Sequence, residues 1–217
     1  MNIYLDTADV NEIKKYFDLG IVAGVTTNPT IISRTGKEFI TVINEIVEIV
    51  KGLPVNAEVI SLDAEGMITE GRELAALNPS IVVKIPMCME GLRAVKVLSD
   101  EGITTNVTLV FSVTQALMAA RAGATYVSSF LGRVDDVGGD GIALIQDVIT
   151  IFKEYGIKSK VIAASVRHMG HVIGCAKAGV DICTIPSSLI PSMANHPLTT
   201  QGLNQFLEDW KKVPTKK

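Results

Sequence analysis

The 217-residue sequence has only three cysteines, Cys88, Cys175 and Cys183, widely spaced and with no CxxC pair among them. That pattern excludes a disulfide framework and a zinc ribbon, and it fits three reduced thiols in a reducing, cytoplasmic setting. No apolar run approaches the ~18 residues of a membrane helix, so no membrane partner is expected. The opening "MNIYLDTADV" carries an aspartate at its sixth position and lacks the basic start of a signal peptide. Charge of one sign is also scarce. Twenty Lys and Arg stand against 23 Asp and Glu, a formal net charge of −3 with no basic stripe, which argues against a nucleic-acid partner. The chain lacks GxSxG, Walker and HExxH motifs, and "GGDG" at Gly138–Gly141 does not have the GxGxxG spacing of a dinucleotide loop.

What is present is a rhythm. Short β-branched runs recur along the whole length: "NIYLD", "GIVAGVTT", "PVNAEVI", "SIVVKI", "GITTNVTL", "ATYVSSF", "SKVIAAS" and "DICTI". Between them lie segments of helical period, such as Val10, Ile13, Tyr16 and Phe17, or Phe39, Val42, Ile43, Ile46, Val47 and Val50. Strands alternating with helices predict parallel βαβ units, and near-continuous apolar runs suit strands covered on both faces. Eight repeats in one domain of this length predict a (β/α)8 barrel, an α/β fold. An open doubly wound sheet would want the glycine-rich loop that is missing. The barrel is expected to occupy residues 1–198. Residues 199–217 are expected to form a terminal helix and tail of the same domain, with Leu203, Phe206, Leu207 and Trp210 on one face and docked, on this reading, against a neighbouring subunit.

Barrel enzymes place their chemistry at the C-terminal strand ends, so the polar residues that close each run are the candidates. They are Asp6; Thr26, Thr27 and Asn28; Glu58; Lys84; Asn106 and Thr108; Ser128, Ser129 and Arg133; Ser165 and Arg167; and, more weakly, Thr184 and Ser187. Each also has an ordinary reading. Asp6 reads as a helix cap, Asn28 as a turn residue before Pro29, and Glu58 as an ion-pair partner for Lys84. Arg133 reads as part of an exposed cluster with Asp135 and Asp136, and Arg167 as a solvated loop charge. His168 and His171 have an HxxH spacing without a nearby carboxylate ligand, so no metal is expected.

Lys84 is the most informative of these, because an ammonium group inside "SIVVKIPM" is costly to bury. An apolar surround would disfavour the ammonium and free a lone pair for attack on a ketone or aldehyde. The resulting Schiff base is an electron sink for breaking the adjacent carbon–carbon bond. Asp6 and Glu58 are the carboxylates available to move protons, and Arg133 and Arg167 suit bidentate phosphate binding. A lysine, two carboxylates and two arginines point to an aldol reaction on a sugar phosphate.

The segments "LDTAD", "GVTTNPT", "VVKIPM", "TNVTLVFS", "VSSFLGRVDD", "GGDG" and "AASVR", in order from about Asn2 to Trp210, resemble the small transaldolase family. The resemblance implies a class I aldolase-type barrel that moves a dihydroxyacetone unit from a ketose phosphate (fructose 6-phosphate or sedoheptulose 7-phosphate) to an aldose phosphate (erythrose 4-phosphate or glyceraldehyde 3-phosphate) in the pentose phosphate pathway. It implies a cytoplasmic homo-oligomer, a pentamer or decamer, with no metal and no organic cofactor. By motif, it makes Lys84 the Schiff-base lysine and Asp6 the base for the C4 hydroxyl. Glu58 and Thr108 become the pair that positions a catalytic water. Thr26, Asn28, Asn106 and Ser128 line or hold the three-carbon unit, and Arg133, Ser165 and Arg167 form the phosphate site. A fructose 6-phosphate aldolase branch of the family carries glutamine where this chain has Glu58 and tyrosine where it has Phe130, so both positions favour transaldolase. A non-catalytic sugar-phosphate-binding barrel is the reading from outside the enzymes. Ser129, where the family usually has proline, and Cys88, where it usually has threonine, depart from the pattern; the first implies a looser loop and the second a weaker helix cap.

Overall fold

A computed structural model describes residues 1–214. The eight expected runs are strands: β1 (Asn2–Asp6), β2 (Gly24–Thr26), β3 (Val55–Glu58), β4 (Ile81–Pro86), β5 (Thr105–Val110), β6 (Tyr126–Phe130), β7 (Lys160–Ala164) and β8 (Ile182–Ile185). They pair in parallel in chain order, and β8 returns to β1 to close the barrel. Closure leaves no free sheet edge. The described helices outnumber the eight expected. To α1 (Val10–Phe17), α3 (Phe39–Val50), α4 (Ala64–Leu77), α5 (Met89–Asp100), α6 (Val113–Arg121), α8 (Gly141–Glu154) and α9 (Met169–Ala178) the chain adds short helices on its loops. These are α2 (Pro29–Ser33), α7 (Leu131–Asp136) and α10 (Ile190–Ala194), the last preceded by a 3-10 turn at Ser187–Leu189.

Period-two alternation divides each strand. The outward set, including Val25, Val55, Ala57, Val83, Ile85, Val107, Val127 and Cys183, is buried beneath the helices in one continuous core. A fully buried Val, Leu or Ile contributes about 1.5–3 kcal/mol relative to exposure. The inward set divides by height. Low in the barrel, Tyr4, Ile162 and Ile182 form a separate apolar plug with Ala23 and Tyr126 against it. Gly24 makes room for this plug: a β-carbon there would lie 2.5 Å from the Tyr4 ring. Burial and the neighbouring Tyr126 phenol push the Tyr4 hydroxyl pKa up. Above the plug most inward residues are polar, with Phe130 and Ala164 the apolar strand residues that line the cleft there.

Helix starts follow ordinary capping. Asp9 caps α1, its carboxylate accepting from the Asn11 and Glu12 amides, and Ser112 and Asp140 cap α6 and α8. Cys88 occupies the N-cap of α5, where its Sγ accepts from the Gly91 amide at 3.2 Å. The three cysteines are free, two of them buried. The terminal helix α11 spans Pro197–Trp210, starting two residues before its expected limit. It buries none of its side chains: Leu203, Phe206, Leu207 and Trp210 are all exposed. Residues 215–217 of the expected tail lie outside the described residues. No described helix is long and apolar enough to cross a membrane.

Candidate active site

Registered pairing sets Glu58 beside Lys84 and Lys84 beside Asn106, and likewise Asp6 beside Thr26. All five are inward positions. Asp6, Thr26 and Glu58 end their strands, and Lys84 lies in the C-terminal half of β4. Asn106, which the sequence reading placed at a strand end, stands near the start of β5 and reaches the height of Lys84 through register. The Lys84 side chain is buried, and its Nζ donates to the Thr27 carbonyl at 2.9 Å and meets Glu58 Oε2 at 3.0 Å. The surround of this lysine is therefore enclosed but not apolar, which corrects the expectation of a low-polarity pocket. A buried ammonium needs a counter-charge and acceptors, and the barrel supplies both. The ion-pair reading of Glu58 is thus observed.

Asp6 does not cap α1, because Asp9 does. Its Oδ1 accepts from Thr26 Oγ1 at 2.8 Å, and Thr26 Oγ1 lies 2.6 Å from Thr184 Oγ1. Thr26 has one proton and gives it to the carboxylate, so Thr184 donates to Thr26. Burial pushes the Asp6 pKa up, while the Lys84 charge and the Thr26 hydrogen bond pull it back in part. The Asp6 carboxyl is consequently more basic than an ordinary aspartate.

A second polar chain crosses the barrel. Ser128 Oγ donates to Asn106 Oδ1 (2.9 Å), Asn106 Nδ2 donates to Asn56 Oδ1 (2.7 Å), and Asn56 Nδ2 donates to the Val25 carbonyl (3.2 Å). This fixes the amide orientations from one end to the other. Thr108, one inward step above Asn106, is fully buried and its hydroxyl has no partner among the described residues. Beyond it Leu109 adopts a left-handed φ of 59° where the β5–β6 register shifts. Asn28 does act as a turn residue, its Oδ1 capping α2 through the Ile31 amide at 2.9 Å, and it still lines the cleft.

The cleft above Lys84 has a volume of about 350 Å³. Asp6, Thr26, Asn28, Ser128, Phe130, Arg133, Ser165 and Arg167 share its wall with Lys84. Glu58, Asn106 and Thr108 are not in that wall. Its rim is cationic. Arg133 lies over the Phe130 ring, 5.3 Å from its centroid, and Phe130 packs edge-on against Phe111. Arg133 does not pair with Asp135 and Asp136, which corrects that part of the sequence reading. Arg167 Nη2 takes Asp136 at 2.8 Å instead, and Arg133 forms no ion pair among the described residues. Ser165 holds a left-handed φ of 63°, a strained value for a non-glycine residue. Gly132 makes the close approach beneath it possible, since a β-carbon there would sit 1.9 Å from the Ser165 carbonyl oxygen.

The HxxH pair belongs to this rim as structure. His168 caps α9 and His171 is buried with Asp135 at 2.6 Å. No group of three or more His, Cys, Asp or Glu suited to a metal occurs among the described residues. Sequence reasoning passed over Asn56 and undervalued Thr184, both buried polar residues inside apolar runs. It also missed Arg34, which stands at the cleft edge. The signal for Asn56 was the same one that exposed Lys84, a polar side chain where a strand should be apolar.

A buried lysine paired with a carboxylate in the mouth of a closed (β/α)8 barrel, beneath an arginine rim, defines a lysine-centred barrel enzyme. The family model described as transaldolase/fructose-6-phosphate aldolase matches residues 3–216, and the chain belongs to that family. A protein of Listeria monocytogenes named probable transaldolase 1 is 58% identical to it over 97% of this chain and 98% of its own length. Proteins named probable transaldolase from Caldicellulosiruptor saccharolyticus and Aquifex aeolicus are 56% and 57% identical, covering 100% of this chain and 100% and 99% of theirs.

Proposed function

We propose that this enzyme is a transaldolase of sugar-phosphate metabolism acting through a Schiff base on Lys84. The observation that carries the reading is the position of Lys84 Nζ, between the Glu58 carboxylate and the cleft that Asp6 and the two arginines line. The relatives' shared name supports the transfer reaction over simple cleavage, and so do Glu58 and Phe130 at the two positions that separate the branches.

In this mechanism Arg133, Arg167 and Ser165 hold the phosphate of the ketose phosphate and bring C2 to Lys84. Glu58 takes the Lys84 ammonium proton across their ion pair. The neutral amine adds to the C2 carbonyl, and return of that proton to the carbinolamine hydroxyl releases water and gives the iminium. Asp6 then removes the C4 hydroxyl proton. The C3–C4 bond breaks, its electron pair flows into the iminium to form the enamine, and the aldose phosphate leaves. Burial of Asp6 favours this step, because a raised pKa makes its carboxylate a stronger base. Asn28 and Ser128, in the cleft wall, hold the hydroxyls of the retained three-carbon unit, and Asn106, behind that wall, orients Ser128. Glu58 and Thr108 position the water for the proton transfers, and the unpartnered Thr108 hydroxyl supports that role. The enamine adds to the carbonyl carbon of an incoming aldose phosphate, Asp6 returns its proton to the new hydroxyl, and hydrolysis of the iminium restores Lys84. No step uses a metal or organic cofactor. The exposed apolar face of α11 supports a homo-oligomer in which that face is covered, and the family resemblance implies a cytoplasmic pentamer or decamer.

Incubation with fructose 6-phosphate and borohydride is expected to leave a reduced three-carbon adduct on Lys84, seen by peptide mass mapping. Turnover is expected to require erythrose 4-phosphate. An unmodified Lys84 sinks the mechanism. Free dihydroxyacetone accumulating without an acceptor reassigns the enzyme to the aldolase branch.

A further inference from the structure

Outside the cleft, one buried titratable group is tied to the rim by hydrogen bonds that the proposed chemistry leaves unused. His171, on α9, is 3% exposed. Its Nδ1 accepts from the Arg167 amide at 3.1 Å, and its Nε2 lies 2.6 Å from Asp135 Oδ2. A backbone N–H can only donate, so the lone pair is on Nδ1 and the ring proton on Nε2, directed at Asp135. Asp135 also accepts from the Gly141 amide at 2.7 Å, which anchors it to the start of α8. Its neighbour Asp136 holds the guanidinium of the same Arg167. Two consecutive aspartates of α7 therefore hold Arg167 at both ends, one through His171 and the backbone, the other at the side-chain tip.

We propose that His171, oriented by Asp135, is a positioning residue for Arg167 and thereby sets the enzyme's preference for phosphorylated over unphosphorylated substrates. The inference rests on the reading of Arg133, Ser165 and Arg167 as the phosphate site. The link joins the two loops that carry the rim arginines, because Asp135 follows Arg133 on α7 and His171 holds the loop after β7. Gly132 packs against the Ser165 carbonyl between them, so a shift in either loop is felt at the other. His171 is not among the residues that line the cleft, so it acts on substrate only through Arg167.

The test compares kcat/KM for fructose 6-phosphate with kcat/KM for unphosphorylated fructose in the wild type, His171→Gln, Asp135→Asn and Arg167→Ala. Asp135→Asn is the fold-preserving variant. Its Oδ1 keeps the Gly141 amide, while its Nδ2 faces the ring proton on Nε2 and breaks the oriented bond. In His171→Gln and Asp135→Asn the phosphorylated-to-unphosphorylated ratio is expected to fall about tenfold or more, since small misplacements of a binding group cost that much. The change is expected in KM, with inhibition by inorganic phosphate weakened in parallel. Equal losses on both substrates, with the ratio intact, reduce His171 to a fold-holding residue and overturn the proposal. If Arg167→Ala itself leaves the ratio unchanged, the phosphate-site reading is what fails. If Arg167→Ala collapses the ratio while both other variants keep it, the positioning role alone is refuted.

Discussion

Replacing Lys84 with methionine tests whether the lysine and Glu58 are a buried pair that depends on both members. Methionine keeps the length and apolar bulk of the side chain, so packing changes little. What is lost is the ammonium 3.0 Å from Glu58 Oε2 and its bond to the Thr27 carbonyl. The Lys84 and Glu58 side chains retain only 5% and 13% of their exposure, so the abandoned carboxylate cannot fully rehydrate without opening the barrel mouth. Breaking a buried pair from one side costs about 3–5 kcal/mol. The residual exposure of Glu58 puts the expected loss at the low end, about 3 kcal/mol. For a chain of this size that corresponds to a fall in melting temperature of about 6–12 °C. The double variant Lys84→Met/Glu58→Gln removes the stranded charge and is expected to recover most of the loss. The assay is a double-mutant cycle by urea denaturation at fixed protein concentration, so that assembly does not shift the midpoints. A coupling energy within about 0.5 kcal/mol of zero, the usual additivity limit for independent sites, would falsify the paired-charge account of Lys84.

Thr26→Val removes the hydroxyl that donates to Asp6; the acid limb of the kcat/KM–pH profile is expected to move to higher pH, and a stationary limb rules out tuning of the base by Thr26. Asp6→Asn addresses stability. The folded-state pKa of Asp6 is raised above its unfolded value, so its contribution is present at low pH and is lost as pH rises through the raised pKa. The melting-temperature advantage of Asp6→Asn over the wild type is therefore expected to grow from acid to neutral pH, and an advantage that shrinks contradicts the sign. Gly24→Ala drives a methyl into the Tyr4 ring and is expected to cost about 1–3 kcal/mol in chemical denaturation, with partial recovery on adding Tyr4→Leu. Phe206→Ser with Trp210→Ser makes the exposed face of α11 polar and is expected to yield a smaller species by light scattering; an unchanged mass excludes that face from the assembly.

The sequence disclosed most about residues that violate their surroundings. "SIVVKIPM" is legible as a strand because its apolar residues are covered on both faces, and Lys84 is legible as functional because it breaks that pattern. Asp6 and Ser128 were visible for the same reason, each ending an apolar run. Partnerships were harder to read, because they are set by strand register and loop path rather than by spacing. Arg133, Asp135 and Asp136 are neighbours in the chain, yet the turn of α7 sends the two aspartates to His171 and Arg167. The HxxH spacing of His168 and His171 suggested at most a metal pair, and only the placement of α9 beside α7 and the loop after β7 gives the second histidine its partners. Cys88 read as a weakened cap, and its sulfur does occupy the capping position. Left-handed backbone at Leu109 and Ser165 has no sequence signature, since neither residue type favours it.

The plug of Tyr4, Ile162 and Ile182 has a consequence for traffic. It seals the barrel below the lysine, so the reaction chamber is a well with one mouth, and sugar, product and water all pass through the same opening. On the proposed mechanism, a ketose phosphate anchored at the arginine rim stops that opening like a cork. Water taking part in the proton transfers is then water already inside, and bulk solvent regains access to the enamine only when the first aldehyde has left. The short interval before the second aldehyde arrives is when transfer competes with hydrolysis. The loops at the rim, rather than the lysine at the base, are where that competition is decided.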